Sequence, residues 1–209
     1  MVHYNENREG TRSSLTMAVL TGQLEMRLNA GRRYRVIAAR PEQKAGFLRA
    51  LREAAPLAVV APRGGLIGNL KVWENLVLPV EYHREYGGRA PAAPPRLPPL
   101  RVLEARAERL FRALGVAQQR FVELCGLLPE RLTEFERRLA AFVRGVLAEP
   151  EVMVYDGLFD GLARNEAQKA ARFDPLYLRY FPFRTAVYVD THDPMMPGLE
   201  AHPVIHLQP

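Results

Sequence analysis

Residues 132–163, LTEFERRLAAFVRGVLAEPEVMVYDGLFDGLA, constrain the fold more than any other stretch of the chain. Phe135, Leu139, Phe142, Val143, Val146 and Leu147 recur at the i, i+4, i+7, i+8 spacing of one helix face, so the stretch predicts an amphipathic helix from Thr133 to about Ala148. Thr133 and Glu136 have the spacing of a capping box at its start, and Glu149-Pro150 stops it. Arg137, Arg138 and Arg144 lie mainly off the apolar stripe and read as a solvated face. Val152-Met153-Val154-Tyr155 is then a short buried strand ending on Asp156. A helix feeding a strand implies an α/β fold. Ligands collect at the C-terminal ends of strands in open α/β sheets, which makes Asp156 a candidate functional acid; Asp156-Gly157 also reads as a plain strand-ending turn.

With 209 residues, 48% of them hydrophobic, the chain is long enough for one domain over residues 1–209 with a sizeable core and a small subdomain. It holds no run approaching the ~20 apolar residues needed to span a bilayer, and MVHYNENREG has no apolar signal-peptide core, so the expectation is a cytoplasmic protein. Cys125 is the single cysteine, which excludes an internal disulfide, and no Cys/His cluster has zinc-ligand spacing. The formal charge of +6 comes mostly from arginine and suits acidic partners. The arginines are scattered without aromatic interleaving, which favours a generic basic surface over a nucleic-acid site.

In chain order, residues 1–14 form a polar segment, Leu20 to Leu28 alternates as a strand, Ala30-Gly31 makes a turn, and Arg33 to Ala39 gives a second strand. A helix follows with Pro41 in its first turn, Glu42 favoured by the helix dipole, and Phe47, Leu48 and Leu51 on its buried face. Leu57 to Val60 is an apolar strand. A helical subdomain spans about 80–148: it contains the proline-rich loop 87–99, a helix over 101–114 with Leu103, Ala107, Leu110, Phe111 and Leu114 on one face, and a short helix over 118–127. Further on come a helix over 165–173, an apolar stretch around 177–183, a strand over 185–189 leading into Asp190-Thr191-His192-Asp193, and a closing strand over 204–207.

The order and spacing of these segments resemble the ATP-binding subunits of ABC transporters. Leu132 stands at the first residue of that family's LSGGQ signature, and Asp156, 24 positions later, at its Walker B aspartate. Phe159 and Gly161-Leu162 match the Pro-Phe-x-Gly-Leu-Asp-Pro run, and His192 matches the switch histidine. Val72 to Val80, VWENLVLPV, is similar to the V-x-E-N-V-x-x-P-L pattern of lipid and lipoprotein transporter subunits, including those that maintain outer-membrane lipid asymmetry. The resemblance implies a P-loop NTPase-like ABC ATPase core with an N-terminal antiparallel β hairpin and a small helical subdomain. It also implies partnership with a transporter membrane subunit, and with a second ATP-binding subunit, on the cytoplasmic face of the inner membrane.

The motif chemistry departs from the family's. Against G-x-x-x-x-G-K-[ST], the chain offers Ala38 to Ala45 and keeps only Lys44. Pro41 deletes an N–H from a loop that works by donating them, Glu42 brings negative charge to a phosphate site, and Ala45 lacks the hydroxyl that would hold Mg²⁺. In place of the signature glycines stand Glu134 and Phe135 behind Thr133, the general base position after Asp156 is Gly157, and the D-loop aspartate is Ala163. The family's catalytic glutamine falls near Pro62. The expectation is a degenerate pseudo-ATPase with no bound cofactor, acting as scaffold or regulator of a membrane transporter. Lys44, Asp156, His192 and Thr133 are then remnants of the nucleotide and signature sites. The alternatives are a divergent active ATPase using ATP and Mg²⁺ through Lys44, Asp156 and His192, and a basic adaptor for nucleic acid.

Overall fold

The computed structural model describes residues 16–21, 24–86, 98–192 and 204–207. The polar segment 1–14 and most of the proline-rich loop, residues 87–97, lie outside the described residues. The chain divides into two compact units, one of Met1–Leu57, Pro150–Gly157 and Asp174–Pro209, the other of Ala58–Glu149 and Leu158–Phe173.

The first unit is built on parallel strands: β3 (Arg33–Ala38), β5 (Val152–Asp156), β6 (Thr185–Asp190) and β7 (Val204–Leu207). β4 (Leu57–Val60) begins in this unit at Leu57 and stands first in the strand order β4-β5-β6-β3-β7. Val152 to Tyr155 and Thr185 to Asp190 are buried without a break, the pattern of parallel strands covered on both faces. The register pairs Tyr155 with Tyr188 and Arg35 with Tyr188, so these three residues share one face of the sheet. The Tyr155 and Tyr188 rings stack there at 4.8 Å, and Arg33 Nε on the same face meets the buried Asp174 at 2.8 Å. Asp174 lies in α7 (Phe173–Tyr180), whose later residues begin the apolar stretch around 177–183.

Two expectations for this unit change. The single strand over 20–28 is two, β1 (Thr16–Thr21) and β2 (Leu24–Asn29), paired antiparallel from Thr16↔Asn29 to Thr21↔Leu24 as a separate two-stranded sheet. The alternating pattern ran across Gly22, a residue type that favours turns, and residues 22–23 lie outside the described residues. The hairpin partner of the first strand is therefore β1 and not β3, which pairs in parallel with β6 and β7. Two-stranded sheets have little independent stability, and here β1 packs against α1 (Pro41–Ala54).

The second unit is helical: α2 (Val72–Tyr86), α3 (Leu100–Ala113), α4 (Gln118–Gly126), a 3₁₀ turn at Pro129–Arg131, α5 (Glu134–Leu147) and α6 (Arg164–Ala170). α5 is its axis, packing against α2 and α3, and the predicted stripe from Phe135 to Leu147 is buried. Phe142 stacks on Phe173 with ring centroids 4.6 Å apart. The α3 face of Leu103, Ala107, Leu110, Phe111 and Leu114 is buried as expected.

Burial around α5 extends past the stripe, and this overturns the expected solvated arginine face. Arg138 is 2% exposed and Arg144 and Arg137 are half-buried. Each guanidinium reaches a different loop carbonyl: Arg138 Nη2 donates to Asp160 O, Arg144 Nη1 to Gly65 O at 2.9 Å, and Arg137 Nη1 to Pro129 O at 3.4 Å. The long aliphatic stems fill the interior while the heads find polar groups at its edge. No helix of the described residues is long and apolar enough to cross a membrane.

Candidate functional site

The sheet of the first unit brings two of the predicted residues together at the C-terminal ends of its strands. β3 ends at Ala38, a bend at Ala39-Arg40 follows, and α1 begins at once with Pro41. Arg40 is extended (φ −125°, ψ 145°), its N–H donates to Gln43 Oε1 at 3.0 Å, and the Lys44 N–H donates to Arg40 O at 3.2 Å. The backbone is thus helical from its first turn, with Pro at the position where a missing N–H costs nothing. Phe47 and Leu51 hold α1 by its buried face, and Leu48 is half-buried.

Lys44, in the first turns of this helix, forms an ion pair with Asp156 at the end of β5. Their side chains are 20% and 16% exposed, so each charge is mostly removed from water and neutralised by the other. Gly157 follows with φ 54°, and its N–H donates to Val189 O at 3.0 Å, tying the end of β5 to β6. Asp156-Gly157 is therefore a strand-ending turn and an ion-pair site at once. His192 lies beyond the end of β6, exposed, with Nδ1 3.4 Å from Thr191 Oγ1, and is not part of the Lys44–Asp156 pair.

Thr133 belongs to the second unit, where it caps α5. Its Oγ1 accepts the Glu136 N–H at 3.2 Å, and the Glu136 carboxylate accepts the Thr133 N–H at 3.0 Å, completing the predicted capping box. Arg120 of α4 donates to the same carboxylate through Nη2 at 2.7 Å and Nε at 3.2 Å. Burial pushes the Glu136 carboxyl upward, but the Thr133 N–H and the Arg120 guanidinium outweigh it and hold the group below the ordinary carboxylate range. The positive end of the α5 dipole thus already carries a charge-paired carboxylate.

Residues that sequence reasoning did not single out organise segment 61–71 of the second unit. Asn75 is fully buried; its Oδ1 accepts the Ile67 N–H at 2.7 Å, and its Nδ2 donates to the carbonyls of Ile67, Leu70 and Lys71 at 3.0 to 3.1 Å. Gly64 (φ 74°) approaches α5 so closely that a Cβ would lie 2.7 Å from Arg137 O. The Gly64-Gly65 pair was the available signal, since two adjacent glycines mark a turn needing positive φ.

Of the main-chain N–H groups from Arg40 to Lys44, that of Arg40 donates to Gln43 Oε1 and that of Lys44 to Arg40 O, Pro41 has none, Ala45 offers no hydroxyl, and the Lys44 ammonium is engaged by Asp156. Among the described residues, no group of three or more His, Cys, Asp or Glu side chains could hold a metal ion.

No family model matches the sequence. No curated protein matches it either. Solved structures do match in fold. An ABC transporter of the metal-chelate type, in an inward-facing conformation, is similar at 15% identity with a TM-score of 0.59, over 86% of this chain and 74% of that one. The dimeric bacterial ABC transporter cassette MJ0796 is similar at 14% identity and a TM-score of 0.56, over 86% of both chains. The cbiO1 protein of Clostridium perfringens, part of the ABC transporter complex cbiONQ, is similar at 12% identity and 0.56, over 87% of this chain and 80% of that one. The fold is that of the ABC transporter ATP-binding cassettes, α/β and P-loop NTPase-like.

Proposed function

We propose, from the premise of an ATP-binding-cassette fold, that this chain is a catalytically degenerate cassette, a pseudo-ATPase that serves a membrane transporter as scaffold or regulatory subunit. The observation that carries this reading is the Lys44–Asp156 ion pair beneath a helix that starts two residues after β3. In an active cassette those two charges face phosphate and Mg²⁺; here they satisfy each other. The capping box supports the same reading from the second unit, because Glu136 occupies the helix end where an anion would otherwise be drawn. Each ATP in the dimeric family is held between one subunit's phosphate loop and the other's signature. A chain that offers neither half leaves no complete site, whether its partner is a second copy or a competent cassette.

The partner is a transporter membrane subunit, as membership of cbiO1 in the cbiONQ complex suggests by analogy, and a second cassette is the natural companion given the dimeric MJ0796. The VWENLVLPV stretch of α2 favours a lipid transporter, and the site of action is the cytoplasmic face of the inner membrane. Isothermal titration of the full chain with Mg-ATP tests the reading: the expected result is no binding heat and no phosphate release. Tight binding with turnover that Asp156→Asn abolishes would instead establish a divergent active ATPase.

A further inference from the structure

Where α7 gives way to β6, the chain of the first unit makes a knuckle, Tyr180-Phe181-Pro182-Phe183-Arg184. Phe181 turns toward Tyr177, with ring centroids 5.5 Å apart, while Phe183 is 68% and Tyr180 38% exposed. The knuckle is held in shape from behind. Arg184 N–H donates to Phe181 O and Gly31 N–H to Arg184 O, both at 3.0 Å, and Gly31 (φ 72°) approaches Pro182 so closely that a Cβ would lie 2.9 Å from its carbonyl. The same contact brings up Arg32, whose carbonyl accepts the Ala186 N–H at 3.1 Å. Arg32 and Arg179 are exposed and enter no ion pair among the described residues, whereas the nearby acids are taken: Asp174 by Arg33 and Glu151 by Arg184.

We infer that this knuckle is a direct contact for an anionic lipid surface, with the Phe183 and Tyr180 rings entering the headgroup layer and Arg32 and Arg179 meeting lipid phosphates. Aromatic side chains settle at the membrane interface, and each arginine close to an anionic leaflet adds attraction. The feature is a short turn with two exposed rings, which a fluid interface accepts without shape complementarity, whereas a specific protein interface buries about 800 Å² on each partner. Pro182 has no N–H, and the N–H groups of Phe181 and Arg184 are already bonded, which leaves that of Phe183 to the polar headgroup layer. The contact does not depend on whether nucleotide binds.

Co-sedimentation of the full chain, without nucleotide or other subunits, tests it with vesicles of phosphatidylglycerol and phosphatidylcholine in equal parts against vesicles of phosphatidylcholine alone. Binding is expected only to the anionic vesicles and weakens as salt is raised. Phe183→Ser and the double change Arg32→Glu/Arg179→Glu each lower partitioning by about tenfold or more, with circular dichroism unchanged. The control Arg63→Glu/Arg101→Glu, which removes the same charge from exposed positions of the second unit, lowers it by less than about threefold. Absence of binding, equal binding to neutral vesicles, wild-type binding by Phe183→Ser, or an equal loss in the control would each overturn the assignment. So would loss of a companion subunit in Phe183→Ser by a protein that never binds vesicles, which would give the knuckle to a protein partner.

Discussion

Tyr155 is fully buried with its ring stacked on Tyr188, and its hydroxyl has no hydrogen-bond partner among the described residues. Burial, reinforced by Tyr188 and Asp174, pushes the phenol well above its ordinary value. An unbonded buried hydroxyl contributes a desolvation cost and nothing in return, so Tyr155→Phe is expected to leave the unfolding free energy unchanged or raise it by up to about 1 kcal/mol. A loss larger than that in urea denaturation would mean the hydroxyl is bonded. Asp174 and Glu136 couple stability to pH with opposite signs. Burial raises the Asp174 carboxyl despite Arg33, so its contribution is complete below the ordinary Asp value of about 3.9 and fades as pH rises through the raised value. Glu136 is held low, so its contribution is present above the ordinary Glu value of about 4.3 and fades as pH falls through the lowered one. Urea midpoints against pH should therefore show Asp174→Asn removing a decline toward neutral pH and Glu136→Gln removing part of the acid limb. Exchange of those two effects would refute the assignment.

Segment 61–71 and α5 behave as one element. Asn75 satisfies the segment from beneath, Arg144 donates to the carbonyls of Gly65 and Gly64, and Gly64 rests against the Arg137 carbonyl. Asn75→Leu leaves the part-buried Ile67 N–H and the carbonyls of Ile67 and Leu70 without their Asn75 partner and is expected to cost about 1–3 kcal/mol, with hydrogen-exchange protection lost first across 61–71. The two glycines separate close approach from backbone preference. Gly64 and Gly65 both have positive φ, but a Cβ on Gly65 would meet only Arg144 Nη2 at 3.8 Å. Gly65→Ala should then cost only the left-handed preference, about 1–2 kcal/mol, and Gly64→Ala clearly more, because main chain must move. Equal costs in chemical denaturation would show that α5 does not confine the segment.

At the scale of the molecule, the Lys44–Asp156 ion pair and the Thr133–Glu136 capping box lie in different compact units. Lys44→Met or Asp156→Asn alone leaves a mostly buried charge without its partner, whereas the double variant removes both. The single variants are therefore expected to destabilise by about 1–3 kcal/mol and the double variant by less than either. If the chain serves as a scaffold, the double variant also co-purifies with its companion subunits from membranes as the wild type does. Loss of co-purification by a double variant that melts normally would give the pair a role beyond neutralising each other.

Much of the candidate site was legible in the sequence because it is written in short-range code. The apolar period of α5, its Thr133/Glu136 cap and the start of α1 at Pro41 all depend on residues within one or two turns of each other, and all appear as expected. The strands β5, β6 and β7 stood out as short, largely apolar runs, while their order in the sheet did not. What only the tertiary structure decided involves residues distant in the chain. Lys44 meets Asp156, Arg138 and Arg144 leave the solvent for loop carbonyls, and β1 rather than β3 takes β2 as its partner. Periodicity identifies which face of an element is apolar, but where burial wraps nearly the whole helix, the fate of a charged side chain is settled by which carbonyl or carboxylate the packing places within its reach.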